Sequence, residues 1–391
     1  MHDTKGFILG GLSSELIVNI LHYCECSTIL RFAVTCKAYH ELVTHTTSLQ
    51  LHIELEANGM EIVKGSFKED ATYSAILKDL KQFRDAWLNL DFGEPIVRTV
   101  WKSGVLLWQL REGFYIVAFA QSGRGDADTI QYFPLDPEAP DPPPLLFDFT
   151  FSDFTADPGQ GLVAIISRDS DQVHVDLCSS TTGLACPLAE CPRLTARFGR
   201  DFPLSSSQYA IESMGHIMLA KIYYTEGNIY EFLIWDWRSG TFLQRICSQE
   251  GICAFTFLDQ QHLALLNVAR SGSSQDTISL LIYAISETMS TLLHLSSDEQ
   301  RRVEDYATSE PVLHLEFPRL KGSSKIAEDR FIIQSEPLPG RILYTKSASF
   351  ACPYAMTLSI IFSFKGSDFD LGISDHHCVF VDGWSLLKHV I

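Results

Sequence analysis

The sequence predicts an α+β multidomain protein. A small helical N-terminal domain is followed by a mostly antiparallel β body, expected to be a β-propeller, with a sandwich or another all-β meander as the alternative. Two observations carry this. Apolar residues recur at helical spacing through residues 12–42 and again through 73–87, but at period two from about residue 98 onward. The period-two segments also repeat. Strand centres at Phe133, Leu177, Trp235 and Ile282 fall roughly 40 to 60 residues apart, near the length of a four-stranded blade. The expected divisions are 1–48 for the helical domain, 49–97 for a linker of one strand and one bracing helix, and 98–391 for the β body.

In the stretch from Leu12 to Leu42, Leu16, Ile17, Ile20, Leu21 and Cys24 form one apolar helical stripe. Ser13 and Ser14 are placed to cap that helix, and Glu15 suits the positive end of its dipole. Ser27 is placed to cap a second helix, striped by Ile29, Leu30, Ala33 and Val34, and a third runs from about Lys37 to Leu42. Helices this short cannot bury all of these side chains among themselves. The body of the chain or a partner must cover the remainder.

The residue order of this stretch resembles an F-box, the motif that docks the adaptor Skp1 in cullin–RING ubiquitin ligases. Leu12, Glu15 and Leu16 fall on its leucine-proline-x-glutamate-leucine opening. Ile20 and Leu21 fall on the next apolar pair, and Ile29 and Leu30 on the pair of the second helix. Cys36 and Lys37 match its cysteine-lysine, Tyr39 stands at the aromatic place and Leu42 closes. Ser13, Cys24, Thr28 and Thr35 depart from the usual proline, leucine, aspartate and valine. With the continuation SLQLHIELEANGM, the stretch is similar to the F-box proteins numerous in mushroom-forming fungi.

The resemblance implies a Skp1-binding surface made of Leu12, Leu16, Ile20, Leu21, Ile29, Leu30, Val34 and Cys36. It implies a link through Skp1 to a cullin, and a β body that holds a protein substrate the sequence does not name. The implied role is that of a substrate receptor, not an enzyme: binding raises the substrate's effective concentration at a partner's catalytic machinery. No catalytic residue, metal or cofactor is expected. A β-propeller enzyme with carboxylates converging near the axis, or a Skp1-binding scaffold without a ligase, are the alternatives.

Composition fits a globular chain of 391 residues, 46% hydrophobic and 20% charged. The net charge of −18, from 48 acidic and 30 basic residues, argues against nucleic acid and anionic membrane surfaces as partners. Lys78, Lys81 and Arg84 read as the solvated face of a helix. The opening MHDTKGFILGG has too short an apolar run for a signal peptide, and residues 356–362 are strand-sized rather than membrane-spanning. Ten cysteines occur without a CxxC pair. Reduced thiols in the cytoplasm or nucleus, or both, are therefore expected.

Leu49, Leu51, Ile53 and Leu55 alternate with polar residues and predict a strand ending at the Asn58-Gly59 turn. Tyr73, Ile76, Leu77, Leu80, Phe83 and Trp87 share one helical face and predict a bracing helix. VLLWQL, FYIVAFA and TIQYFPL then predict a meander, interrupted by a Pro- and Asp-rich surface loop over residues 134–146. LVAIISRDSDQVHVDL, IMLAKIYYTEGNIYEFLIWDWRSGTFLQRI and HLALLNVARSGSSQDTISLLIYA repeat the strand-turn-strand pattern. The middle one resembles a WD-type blade end, with Trp235-Asp236-Trp237 before a Ser-Gly turn. Residues 296–310 predict an exposed charged loop. VLHLEF, RFIIQS, RILYTK, TLSIIFSF and CVFVDGWSLLKHVI predict further strands, the last reaching the C-terminus.

Asp375-His376-His377-Cys378 matches the palmitoyl-transferase signature in letters only, because the transmembrane helices and zinc region those enzymes need have no counterpart here. As metal ligands these adjacent residues would point apart on a strand. Arg124-Gly125-Asp126 reads as a hairpin tip. Nucleophile-elbow, phosphate-loop, zincin and dinucleotide fingerprints are absent from the sequence.

Overall fold

The structure is a computed structural model. It describes residues 11–390 apart from 69–70, 92, 96, 98–103, 122–124, 137, 200–201, 225, 249–250, 270–276, 287–300, 319–324, 327–330, 337 and 366–375. The protein is β-rich, with several four-stranded antiparallel sheets and a few N-terminal helices. It divides into two compact units: residues 1–95 with 342–353, and residues 96–341 with 354–391.

The first unit carries α1 (Ser14–Leu21), α2 (Cys26–Ala33), α3 (Lys37–His45), α4 (Thr47–Ala57) and α5 (Tyr73–Asn89). It also carries β1 (Glu61–Ile62) and a hairpin of β20 (Ile342–Tyr344) and β21 (Ser349–Ala351). These three strands form an antiparallel sheet in the order β1-β21-β20. Residues 342–353, which the sequence reading placed in the β body, thus complete the helical unit. Asp79 of α5 holds the hairpin by accepting from Ser347 N at 3.0 Å and Ser347 Oγ at 2.7 Å. Ser66 Oγ both donates to Ser349 O at 3.2 Å and accepts from Ser349 N at 3.1 Å.

Residues 49–55 are helical, not the strand their alternation predicts. The reason is that α4 is buried on two sides. Leu49 and Ile53, one turn apart, join a core with Ile17, Leu21, Ile29, Ala33 and Val43. Leu51 and Leu55, also one turn apart, join a second core with Ile76, Leu80, Ala348 and Phe350. Two interleaved helical pairs look like period two in the letters.

The second unit contains four consecutive meanders. They are β2 (Val105–Arg111), β3 (Phe114–Phe119), β4 (Ala127–Pro134) and β5 (Leu145–Phe151); then β6 (Asp153–Asp157), β7 (Leu162–Arg168), β8 (Gln172–Ser179) and β9 (Arg193–Arg197). The third is β10 (Ser207–Met214), β11 (Ile217–Tyr224), β12 (Ile229–Asp236) and β13 (Thr241–Ser248). The fourth is β14 (Ile252–Phe257), β15 (His262–Ala269), β16 (Thr277–Ala284) and β17 (Leu313–Glu316). In the fifth sheet β22 (Thr357–Lys365) pairs with β18 (Lys325–Ile326), β19 (Ile332–Glu336) and β23 (His376–Asp382). Phe133, Leu177, Trp235 and Ile282 each sit on the third strand of a successive meander, so the sequence period marks equivalent strands.

The sheets pack face to face in chain order. Val163 and Ile165 of β7 join Ile116, Ala118 and Ile130 of the first sheet. Leu162, Ala164 and Ile166 point the other way, to Met218, Ala220 and Ile222 of the third. A strand buried on both faces reads as a continuous apolar run, as β7 does.

One expectation is refined here and one differs. Residues 301–309 are a mostly exposed loop, as expected, but an anchored one that runs back across the second and third sheets. Arg302 bridges Arg197 and Thr308 bridges Arg245 in parallel, Val303 is buried, and Tyr306 lies 4.4 Å from the Phe242 ring. Residues 296–300 lie outside the described residues. The chain end is helix α6 (Gly383–Val390), not a strand. Asp382 accepts from Trp384 N at 3.1 Å and Ser385 Oγ at 2.6 Å, an N-cap that stops β23 and starts the helix. Leu386 and Leu387 then turn inward.

Candidate functional site

The helices of the first unit carry more apolar side chains than their own cores take up. On α1, Ile17 and Leu21 are buried, while Leu16 and Ile20, about 100° further round the helix, are 51% and 46% exposed. On α2, Ile29 and Ala33 are buried, while Leu30 and the C-cap residue Val34 are 48% and 79% exposed. Five of the eight residues expected to bind an adaptor are therefore outward-facing: Leu16, Ile20, Leu30, Val34 and Cys36. Leu21 and Ile29 are part of the unit's own core, and Leu12 is half-buried against it. The structure adds Tyr23, 94% exposed, to the Leu16 and Ile20 row. Its spacing of four and then three residues was the available signal.

The back of these helices is held by α4. His22 Nε2 and Ser48 Oγ are 3.0 Å apart, and His52 Nε2 lies 3.0 Å from Cys24 O, so both residues flanking the α1–α2 turn are tied. The rings of His22 and His52 meet edge to face at 5.8 Å. Burial, and secondarily the neighbouring His52, hold the His22 imidazole below its usual value. Ser27 does not cap α2. Glu56 of α4 does so from a distance, accepting from Cys26 N at 2.8 Å. Phe32 and Tyr39 stack at 4.2 Å and lock α2 to α3. Glu15, Glu25, Arg31, Lys37 and Glu41 are exposed on the same helices. The result is a rigidly backed apolar surface with a mixed-charge rim, suited to protein docking.

The second unit brings Glu112, Asp153, Asp157 and Glu212 to the first strands of the second and third sheets and to the turn after β2, and hydrogen bonds tie the first three. Glu112 Oε2 accepts from Gly159 N at 2.6 Å. Asp157 accepts from Gln160 N at 3.0 Å and Gln160 Nε2 at 2.7 Å. Asp153 Oδ2 accepts from Ile211 N at 3.1 Å, and burial pushes its carboxyl up to about 6. Burial also raises Glu112, helped by Asp157, and raises Glu212. Arg111 spans the strands by donating to Thr155 Oγ1 at 3.4 Å and Ser213 O at 3.0 Å. This is a polar seam that pins neighbouring sheets. Arg245 and Glu231 form a buried two-bond pair at 2.9 and 2.7 Å, and Arg245 Nη1 also donates to Tyr306 O at 3.0 Å.

Among the described residues no group of three or more His, Cys, Asp or Glu side chains could hold a metal, and no helix is long and apolar enough to cross a membrane. Arg124 and Asp375 lie outside the described residues, and with them the two tripeptide and tetrapeptide readings.

No family model matches the sequence, and no curated protein is significantly similar to it. Solved structures are distantly similar. An uncharacterized protein of Listeria monocytogenes aligns at a TM-score of 0.33 and 8% identity, over 70% of this chain and 65% of that one. The chain thus spans less than two thirds of that protein. The WD40 β-propeller domain of Doa1 gives 0.30 and 6%, over 69% and 79%. A Bacteroides fragilis protein provisionally assigned as a 6-phosphogluconolactonase gives 0.31 and 11%, over 70% and 72%. All three scores are below 0.5, and no functional reading is taken from them.

Proposed function

We propose that the first unit docks an adaptor of the Skp1 type and that the second holds a protein substrate for ubiquitin transfer by cullin-linked machinery. The observation that carries this is the outward apolar face of Leu16, Ile20, Leu30 and Val34, beside stripes of the same helices that are fully buried. The unit's two cores are filled without these residues, so their exposure has no use in its own folding. Burying four half-exposed aliphatic side chains contributes roughly 1 kcal/mol each before the costs of association. The second unit then acts by proximity, raising the substrate's effective concentration. We read its sheets as propeller blades. The four successive meanders support this, as does the Trp235-Asp236-Trp237 turn. There Trp237 Nε1 donates to Gly215 O at 2.9 Å and Gly240 takes φ +74°.

The test is the pair Leu16→Asp with Ile20→Asp. Loss of Skp1 binding with an unchanged melting profile is expected. Retained binding by the folded double variant would overturn the named surface.

A further inference from the structure

The connection from β16 to β17 is built unlike its equivalents. In the third sheet residues 237–240 suffice to join the third strand to the fourth, whereas the fourth sheet takes residues 285–312 for the same step. Connections that long are uncommon in a compact body and commonly functional. Residues 301–309 of it leave their own sheet. They cross to the outer edges of the two preceding ones, since β9 and β13 are the last strands of the second and third sheets. One parallel bridge joins Arg302 to Arg197 of β9, and one joins Thr308 to Arg245 of β13.

This strap lies there as a peptide lies on a receptor. Three side chains seat it. Val303 is buried in the core that the two sheets share, which includes Phe198 and Leu204. Glu304 Oε1 accepts from Gly199 N at 2.8 Å, and a Cβ at Gly199 would stand 3.2 Å from that oxygen, so the glycine leaves room for the carboxylate. The Tyr306 ring lies 4.4 Å from that of Phe242. A preorganised cation reads the backbone: Glu231 holds the Arg245 guanidinium, which donates to Glu304 O at 3.4 Å and Tyr306 O at 3.0 Å. Asp305 Oδ2 accepts from Arg302 N at 3.0 Å and closes the turn between Val303 and Tyr306. Ser309 N donates to Arg245 O at 2.8 Å. Yet Arg302, Glu304, Asp305, Ala307 and Thr308 are exposed, and each sheet edge offers a single bridge where a strand would make a ladder. A segment seated by so few buried groups opens locally without unfolding of the sheets beneath it.

We propose that the strap is an internal ligand, and that the groove beneath it is where the second unit takes a segment of a target protein with the same chemistry: an aliphatic residue, two acidic residues, then an aromatic, as in Val303-Glu304-Asp305-Tyr306. The inference rests on the reading of the second unit as a substrate holder, but not on adaptor docking. The strap competes at the high effective concentration of a tethered segment. A target therefore binds by displacing it, and its apparent affinity falls by the fraction of chains in which the strap is open.

The experiment measures a fluorescein-labelled synthetic peptide of residues 300–310 against the full chain, without any adaptor, by fluorescence anisotropy. Releasing the strap with Val303→Asp and Tyr306→Ala should make the chain bind the peptide roughly tenfold more tightly than the parent does. Adding Gly199→Val to the released chain should weaken binding again, as should the same two changes placed in the peptide. Hydrogen exchange on the parent needs no variant: the Ser309 amide should exchange through a local opening that sub-denaturing guanidinium does not accelerate. Absence of binding to a released chain with parent-like circular dichroism overturns the inference, as does equal binding by the parent and released chains. So does a Ser309 amide that exchanges only through global unfolding. Phage-displayed peptides that enrich on the parent and bind its Gly199→Val variant unchanged would overturn this site without overturning the reading of a substrate receptor. Failure here with Skp1 binding intact leaves the adaptor reading standing.

Discussion

Leu16 and Ile17 are adjacent in the chain, yet one is half exposed and the other is sealed in a core. That difference defines the candidate docking face, and sequence could not resolve it. A stripe at helical spacing names the apolar positions of α1 and α2 but not which of two neighbouring rows turns inward. The choice is made by α4, which supplies Leu49 beneath Ile17 and Ile29. The buried ion pair gives a prediction at this scale. Glu231→Ala leaves the Arg245 guanidinium buried without its carboxylate, and should cost about 3–5 kcal/mol in a denaturant titration. A change under ~1 kcal/mol would show that the strap carbonyl at Tyr306 suffices. Asp153 gives a second. Its carboxyl sits near 6 when folded, above the unfolded value of about 3.9, so the folded state favours the protonated form. That contribution is full below about pH 4 and is lost as pH rises through 6. Asp153→Asn keeps an acceptor for Ile211 N, so its stability relative to the parent should rise between pH 4 and pH 7. A pH-independent difference would contradict the assignment.

Strands were legible even where both faces are buried, as in β7, because turn residues bound each apolar run. β2, β3, β4, β7, β8, β11, β12, β13, β15 and β16 stand where period two predicts them. α4 does not, because its alternating leucines serve two cores. α6 was hidden for another reason: its cap, Asp382, follows directly on an apolar strand. The strap at 301–309 reads as a charged loop because its anchors are Val303 and backbone groups, which leave no pattern. Leu49 is fully buried, so Leu49→Ala should destabilise the first unit by about 2–5 kcal/mol in thermal unfolding. A loss under ~1 kcal/mol would mean the helices do not share that core.

At the scale of the molecule, the first unit is finished by a hairpin that arrives after more than 240 residues of β structure. Its strands look like any others in the sequence, and their partners β1 and α5 are too distant for a local signal. Replacing residues 342–353 by a Gly/Ser linker uncovers Leu51, Ile76 and Leu80. The melting transition of the first unit should then broaden or vanish while that of the second persists. Two intact transitions would show that the hairpin is dispensable. The repeating meanders were legible because each third strand recurs at a similar interval; the fifth sheet broke the pattern where the chain leaves to build the hairpin.

The most direct test of the central claim is size-exclusion chromatography of the purified chain mixed with purified Skp1, at micromolar concentration, beside the Leu16→Asp, Ile20→Asp double variant. The account predicts a co-eluting one-to-one complex with the parent and none with the variant, both proteins melting alike. Parent and variant eluting identically, whether both bound or both free, would contradict it.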